Sequence, residues 1–75
     1  PKNSQKQGIE GRVFVDFIVE KDGSISNARI IKGINRECNK EALRVIRNKP
    51  NWISGKQDGV PVRQKLIQNI LFKFK

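Results

Sequence analysis

The segment RVFVDFIVE, residues Arg12 to Glu20, decides the fold of this chain. Its odd-numbered residues are all apolar, so one face of a strand over this segment is entirely apolar. That face comprises Val13, Val15, Phe17 and Val19. The opposite face also carries Phe14 and Ile18, and a strand in the middle of a sheet accommodates such residues more easily than a strand at its edge. The segment therefore predicts the central strand of a sheet.

The chain is short and strongly basic. It has 75 residues, with 16 Lys and Arg against 7 Asp and Glu and a formal net charge of +9. A chain of this length forms one small domain, with room for one sheet and a helix packed on it. Because it starts at Pro1 and contains no methionine, we expect residues 1–75 to be a single domain from a longer protein. The positive charge would attract nucleic acid, anionic lipid or an acidic protein, so the charge alone does not indicate which of these the domain binds.

A hairpin is predicted directly after the central strand. Asp22-Gly23 stands between two runs of alternating apolar residues, and this dipeptide favours a tight turn in which both central residues have positive φ. The return strand is predicted over Ile25 to Lys32, and its more polar sequence places it nearer an edge. Asp22 and Gly23 are therefore interpreted as structural turn residues, in preference to Asp22 being a metal-binding or catalytic carboxylate.

A helix is predicted over Arg36 to Asn48, because its apolar residues fall within one stripe at the helical period. The stripe comprises Cys38, Ala42, Leu43, Val45 and Ile46. Asn35 and Asn39 are both plausible N-caps, and Pro50 ends the helix. We expect the stripe to lie across the sheet, with Cys38 acting as a small buried hydrophobe.

The C-terminal third is predicted to be a loop followed by a long strand. The loop runs from Asn51 to Pro61 and contains a second turn at Asp58-Gly59. Trp52 is a candidate platform for stacking a ligand, but a lone tryptophan after a helix more often folds back over the core. The strand is predicted over Val62 to Phe74, with a largely apolar face.

The predicted order is strand, strand, helix, strand, which is an α+β fold. Because a helix joins the return strand to the last strand, these two should run parallel, with a right-handed crossover. The central strand then fits between them, which gives a three-stranded antiparallel sheet of order 2-1-3 with one helix on one face. Pro1 to Gln7 is compatible with a short N-terminal helix. The last strand lies at an edge, where unpaired backbone groups can template another chain.

The sequence contains no pattern typical of an enzyme, a metal site or a cofactor site. It has no histidine and only Cys38 as cysteine, which excludes an internal disulfide, a Cys/His metal site and a Ser/His dyad. No two carboxylates have the spacing of a general acid and base, and the glycines form no phosphate-binding pattern. We therefore expect a binding module without catalytic residues, with a polypeptide and a nucleic acid as competing partners.

Four segments of the chain, taken in order, carry a resemblance to a known family. They are GIEGRVFVDFIVEKDGSISNARIIKG at Gly8 to Gly33, NKEALRVI at Asn39 to Ile46, NWISGK at Asn51 to Lys56, and NILFKF at Asn69 to Phe74. The third contains a W-x-x-G-K pattern after the helix, which makes Trp52 and Gly55 candidate structural residues. Together these segments resemble the C-terminal domain of TonB over essentially the whole chain.

This resemblance implies a periplasmic domain carried on a protein that is anchored in the inner membrane of a Gram-negative bacterium. In that family the domain binds the TonB box, a short extended segment of an outer-membrane transporter, which adds beside the last strand. An inner-membrane motor complex, engaged through the N-terminal part of the protein, supplies force from the proton gradient for active uptake. The implied partner-binding residues are those of the edge strand: Gln64, Lys65, Leu66, Ile67, Gln68, Asn69, Ile70, Leu71, Phe72 and Lys73.

Two alternatives rest on the same features. A small basic α+β module can bind RNA or DNA through its sheet, which the charge favours. Sheets that read RNA present two or three stacking aromatics, however, and three of the four phenylalanines here are predicted to lie in the core, so nucleic acid is disfavoured. A homodimer can form through the same edge strand. Arg63, Lys65 and Lys73 would discourage such self-pairing and favour acidic partners.

Overall fold

The computed structural model describes residues 10–49 and 52–73, which form five strands and one helix. In chain order these are β1 (Glu10–Val19), β2 (Ile25–Lys32), α1 (Arg36–Asn48), β3 (Gly55–Gln57), β4 (Val60–Val62) and β5 (Gln64–Lys73). The predicted bounds of the return strand and the helix agree with β2 and α1. The predicted N-terminal helix at Pro1 to Gln7, the helix stop at Pro50 and the strand end at Phe74 lie outside the described residues.

The main sheet has the order β2-β1-β5, with β1 antiparallel to both neighbours. This confirms the predicted α+β class and the predicted central position of RVFVDFIVE. The pairing of β1 with β5 is regular over its whole length, from Glu10 opposite Lys73 to Val19 opposite Gln64. Helix α1 packs on β2 and β1, so it covers one face of the sheet, here called the inner face.

The core lies between α1 and the inner face of the sheet. Every predicted inward residue of β1 is buried, and Phe17, the largest of them, is 1% exposed. Among residues 10–49 and 52–73, the buried apolar residues are Val13, Val15, Phe17, Val19, Cys38, Ala42, Ile46 and Phe72. Leu43 is half-buried against this core, but Val45 is exposed. The buried stripe of α1 is therefore narrower than predicted, because Val45 at its margin is 39% exposed.

Helix α1 begins at Asn35, whose side-chain Oδ1 accepts a hydrogen bond of 2.8 Å from the backbone N–H of Cys38. This satisfies one of the N–H groups that have no partner within the helix. Asn39, the other candidate cap, lies in the first turn, and its Oδ1 accepts a bond of 3.0 Å from the N–H of Ile34. Both asparagines thus fix the entry to the helix, but only Asn35 is its N-cap.

The first hairpin does not have the predicted two-residue turn. Gly23 has a positive φ of 85°, whereas Asp22 does not have a positive φ. The N–H of Gly23 donates to the carbonyl of Glu20 at 2.9 Å, and the N–H of Glu20 donates to the carbonyl of Ser24 at 2.8 Å. This is a three-residue loop closed by a left-handed glycine. The Asp22 carboxylate accepts bonds from the N–H and hydroxyl of Ser24, which holds the loop in shape.

The segment predicted as a loop contains a second, small antiparallel sheet, β3 paired with β4. Its turn is Asp58-Gly59, with φ of 52° and 79°, and here both central residues do have positive φ. Val62, which was predicted to open the last strand, instead ends β4 opposite Gly55. The prediction of a loop was therefore wrong at β3 and β4, because three-residue strands are too short to show a period. Residues 52–54 and the predicted turn at Asp58-Gly59 do lie outside strands and helices.

Strand β2 is irregular in two places where it pairs with β1. Ile18 lies opposite Ser26, yet Asp16 lies opposite Arg29, so β2 carries one extra residue between these pairs. Asn27 in this bulge has a positive φ of 52°. A second shift follows further along β2, between the pairs that involve Val15 and Phe14 on β1. Bulges of this kind bend a strand and increase its twist.

Candidate functional site

The two edges of the main sheet differ in regularity. Strand β5 is ten residues long and pairs with β1 without interruption, so its other side presents an extended row of backbone groups. No strand pairs with that side among residues 10–49 and 52–73. The opposite edge is β2, whose two bulges break the regular spacing that a partner strand would need. Strand β5 is therefore the edge suited to strand addition.

All ten predicted partner-binding residues, Gln64 to Lys73, lie on β5. Leu66 and Ile70 are half-buried and Phe72 is buried, so these three turn toward the core. Ile67 and Leu71 point to the other face and are 64% and 45% exposed. The edge thus offers apolar side chains on both faces to a segment lying beside it.

The outer face, which is the face of the sheet turned away from α1, has a buried carboxylate at its centre. The side chain of Asp16 is only 5% exposed. Its two oxygens accept bonds of 2.8 and 3.0 Å from Nε of Arg29 on β2, and Nζ of Lys65 on β5 lies 3.6 Å away. The hydrogen bond from Arg29 is the main cause that lowers the pKa of Asp16 below its usual 3.8. Asp16 therefore joins all three strands through charged contacts.

A second carboxylate, Glu20, joins the end of β1 to the start of β5. Arg63 donates to it through Nε at 2.7 Å and through Nη2 at 3.3 Å, and the hydroxyl of Ser26 also donates to it. The bond from Arg63, followed by that from Ser26, lowers the pKa of Glu20 below its usual 4.5. Arg63 is thus held at the point where the chain leaves β4 for the edge strand.

Trp52 closes the end of the core beyond α1. Its ring lies 4.8 Å from that of Phe17, centroid to centroid, at an interplanar angle of 59°. The indole N–H donates to the carbonyl of Ile46 at 3.2 Å, and Nζ of Lys49 lies 4.3 Å from the ring centroid. One ring face is thus covered by the core and a cation lies over the ring, which is the arrangement of a structural anchor. Gly55 follows as the first residue of β3.

The lowered pKa values of the paired carboxylates predict a loss of stability in acid. Asp16 and Glu20 stay ionised in the folded chain at pH values where the same groups bind protons in the unfolded chain. The unfolded state then binds more protons, so the free energy of unfolding falls as pH drops through the usual values of 3.8 and 4.5 toward the folded ones. In thermal melts recorded from about pH 7 to about pH 2, Tm should decrease mainly below about pH 5.

The variant Asp16→Asn provides the comparison for these melts. Asparagine has nearly the same size but does not titrate, so the Tm of this variant should fall less steeply between about pH 5 and about pH 2 than that of the parent. A variant curve parallel to the parent curve would show that Asp16 is not part of the acid response.

The described residues contain no cluster of three or more His, Cys, Asp or Glu side chains that could hold a metal ion. Cys38, on the inward side of α1, is buried in the core. None of the helical residues in the described ranges forms a helix long and apolar enough to cross a membrane. Within the described ranges, the structure has a regular edge at β5 with which only β1 pairs, next to a cationic outer face.

Comparison with known families agrees with this geometry. Residues 1–74 match the family described as Gram-negative bacterial TonB protein C-terminal. The chain belongs to this family. TonB C-terminal domains are periplasmic and associated with transport, they interact with outer-membrane transporters, and they are not enzymes. No curated protein was found to match the chain.

The sequence-based reasoning missed the contacts of Asp16 on the outer face. It placed Asp16 on the less apolar side of the central strand but did not identify a partner for it. Extending the register from Val19 opposite Ile25 would put Ala28, not Arg29, opposite Asp16. The extra residue in the β2 bulge moves Arg29 into that position. The one local signal was Asn27, because asparagine tolerates the left-handed conformation better than most residues.

Proposed function

We propose that this TonB C-terminal domain binds the TonB box of an outer-membrane transporter by adding it as a strand at β5. The observation that carries the proposal is the unbroken edge of β5, whose outer side has no partner strand among the described residues. In the full-length protein, the domain would be anchored to the inner membrane and would transmit force from a motor complex driven by the proton gradient. The contact at β5 would be the point at which this force passes to the transporter.

Strand addition accounts for the chemistry of both faces of β5. Main-chain hydrogen bonds along the edge supply affinity, and alternate side chains of the partner meet different surroundings. On the inner face a partner would lie beside Leu66 and Ile70. On the outer face it would lie beside Ile67 and Leu71, with Lys65 and Lys73 at the two ends. A partner that combines apolar residues with acidic ones would fit this edge.

The expected affinity is moderate. Each main-chain hydrogen bond contributes a net stabilisation of about 0.5–1.5 kcal/mol, and part of the total is offset by the ordering of the segment. A short segment therefore binds reversibly, which suits a coupling that is made and released repeatedly.

A pair of proline substitutions tests the proposal. In a strand, the N–H and C=O groups of successive residues point alternately toward and away from a given neighbour. Ile67 and Gln68 are adjacent and both exposed, so one of them directs its N–H to β1 and the other to the free edge. Of Ile67→Pro and Gln68→Pro, one should therefore lower Tm strongly. The other should keep the fold and weaken binding of a TonB-box peptide by about tenfold or more.

Circular dichroism melts would identify the variant that keeps its fold, and amide NMR titration would measure its affinity. In the parent domain, peptide-induced shifts should concentrate in β5 and be small in β2, the bulged edge. If the folded proline variant binds the peptide as tightly as the parent, or if the shifts concentrate in β2, strand addition at β5 is wrong.

The structure also bears on the alternative that the sheet binds nucleic acid. Phe14 is the aromatic residue on the outer face among the described residues, and it is half-buried. Phe17 and Phe72 are in the core, and Trp52 packs on Phe17. An outer face with one aromatic side chain among the described residues lacks the row of stacking surfaces that binds successive bases. This observation favours a polypeptide partner.

A further inference from the structure

Arg29 is held in place on the outer face by a contact that uses only part of its guanidinium group. Both of its hydrogen bonds to Asp16 are made by Nε, at 2.8 and 3.0 Å. Asp16 is buried and fixed within the central strand, so it provides a rigid anchor for the arginine side chain. The structure shows no hydrogen bond from the two terminal nitrogens to any described residue.

The side chain of Arg29 is nevertheless 70% exposed. It lies on the rim of an open depression of about 440 Å³ in the outer face, between β1 and β2. The lining includes Asp16, Ile18, Asn27, Ala28, Arg29 and Lys65. The depression contains one carboxylate, Asp16, and the cations Arg29 and Lys65 already lie against it. A ligand approaching from solvent therefore meets positive charge.

The surroundings of the depression combine cations with apolar side chains. Phe14 and Ile18 of β1 are half-buried on this face, and Ile67 of β5 is largely exposed beside them. Arg12 and Lys32 add further exposed positive charge on the same face. A face of this kind is complementary to a surface that carries both carboxylates and apolar groups.

We infer that the Arg29 depression is a receptor site for a carboxylate side chain of an acidic polypeptide, distinct from the row of backbone groups along the β5 edge although Lys65 of β5 contributes to both. The terminal nitrogens of Arg29 would donate two parallel hydrogen bonds to the carboxylate, and Lys65 would add a second positive charge. The neighbouring apolar side chains of the polypeptide would pack on Ile18 and Ile67. Asp16 acts as a positioning residue, because its contact with Nε holds the guanidinium in place before the ligand arrives.

A polypeptide fits this site better than the phosphate backbone of a nucleic acid. Phosphate contacts along a backbone need cations at repeated intervals, whereas the cations here are interrupted by apolar side chains. Apolar contacts next to a single preorganised arginine are typical of protein–protein recognition, in which arginine is enriched. The inference goes beyond strand addition and does not depend on it.

The test uses NMR titration of the isotope-labelled domain at about 0.15 M salt, where long-range electrostatics are screened. The probe is a short peptide of glutamate and leucine with regularly spaced prolines, which prevent it from adding as a strand at β5. A second peptide carries glutamine in place of every glutamate. A short oligouridylate is the third probe. We expect the glutamate peptide alone to shift the Arg29 Nε–H signal and the amide signals of Ile18 and Lys65.

Two variants distinguish binding at the Arg29 depression from attraction of the peptide by the net positive charge of the domain. The double variant Asp16→Asn, Arg29→Gln removes one negative and one positive charge, so it keeps the net charge of +9. It should bind the glutamate peptide at least about tenfold more weakly. Arg36→Gln, on the exposed side of α1, lowers the net charge but leaves the outer face intact, and it should bind within about twofold of the parent.

If the spectrum of the double variant shows that it has not folded, Arg29→Lys replaces it. Lysine keeps the charge but lacks the planar fork, so this variant should also bind more weakly than the parent. Affinity unchanged in the folded double variant or in Arg29→Lys would overturn the proposal. So would equal binding of the glutamine peptide, or shifts of these signals by the oligouridylate alone. None of these results decides whether a strand adds at β5, because that proposal is tested separately by Ile67→Pro and Gln68→Pro.

Discussion

Replacing Phe17 by alanine should lower the free energy of unfolding by about 3–5 kcal/mol, the usual range for a buried phenylalanine. Phe17 is the largest fully buried side chain of the domain, and its ring contacts that of Trp52. The substitution would remove both the apolar surface and the ring contact that holds Trp52 over the core. A domain of this length has a total stability of about 4–11 kcal/mol. The loss would therefore be a large part of the total stability, and the urea midpoint of the variant should lie far below that of the parent.

Urea denaturation followed by tryptophan fluorescence would measure this effect, since Trp52 is the only tryptophan. Ile53→Ala is the matched control, because Ile53 is 81% exposed although it follows Trp52 directly. Its free energy of unfolding should stay within about 0.5 kcal/mol of the parent value. A loss below about 1 kcal/mol for Phe17→Ala would mean that the core is not centred on β1 as described.

The second large effect is expected at Gly23. This residue has a φ of +85°, and a Cβ atom added to it would lie 2.6 Å from the backbone carbonyl oxygen of Trp52. Gly23→Ala therefore introduces both a left-handed alanine, at about 1–2 kcal/mol, and a close contact with backbone, at about 1–3 kcal/mol. Urea denaturation should show a combined loss of about 2–5 kcal/mol.

Gly59→Ala separates these two contributions. Gly59 has a similar φ of +79°, but an added Cβ would meet no atom within 4 Å. The cost there is the left-handed conformation alone, partly offset by the lower entropy of the unfolded chain, so about 0.5–1.5 kcal/mol is expected. Equal losses in the two variants would contradict the close packing of the first hairpin against the segment that carries Trp52.

The long, regular elements of this domain were predictable because their periodicity extends over many residues. RVFVDFIVE alternates over nine positions, and the apolar stripe of α1 extends over about two and a half turns, from Cys38 to Ile46. Once these elements are placed, the strand order follows, because a strand with apolar residues on both faces belongs in the middle. The edge position of β5 also follows from this order.

The features that the sequence did not predict depend on register and on contacts distant in sequence. The dipeptide Asp-Gly occurs twice, yet only Asp58-Gly59 forms the two-residue turn, because the strands that flank each dipeptide fix the length of its loop. The ion pair of Asp16 with Arg29 depends on one extra residue in β2, which a pattern of alternation does not reveal. Strands β3 and β4 were missed because each has only three residues.

The unequal edges of the main sheet also limit how copies of the domain can assemble. We propose that a partner strand adds beside β5, whereas the two bulges of β2 interrupt the row of backbone groups at the opposite edge. Two copies that meet through β5 would form a closed, two-fold pair, and the remaining edge of the main sheet in each copy would be the bulged strand β2. The bulges of β2 would therefore oppose growth of the sheet into a filament, while β5 itself keeps its regular row of backbone groups. Such a pair and a bound peptide would exclude each other, so self-association would compete with partner binding.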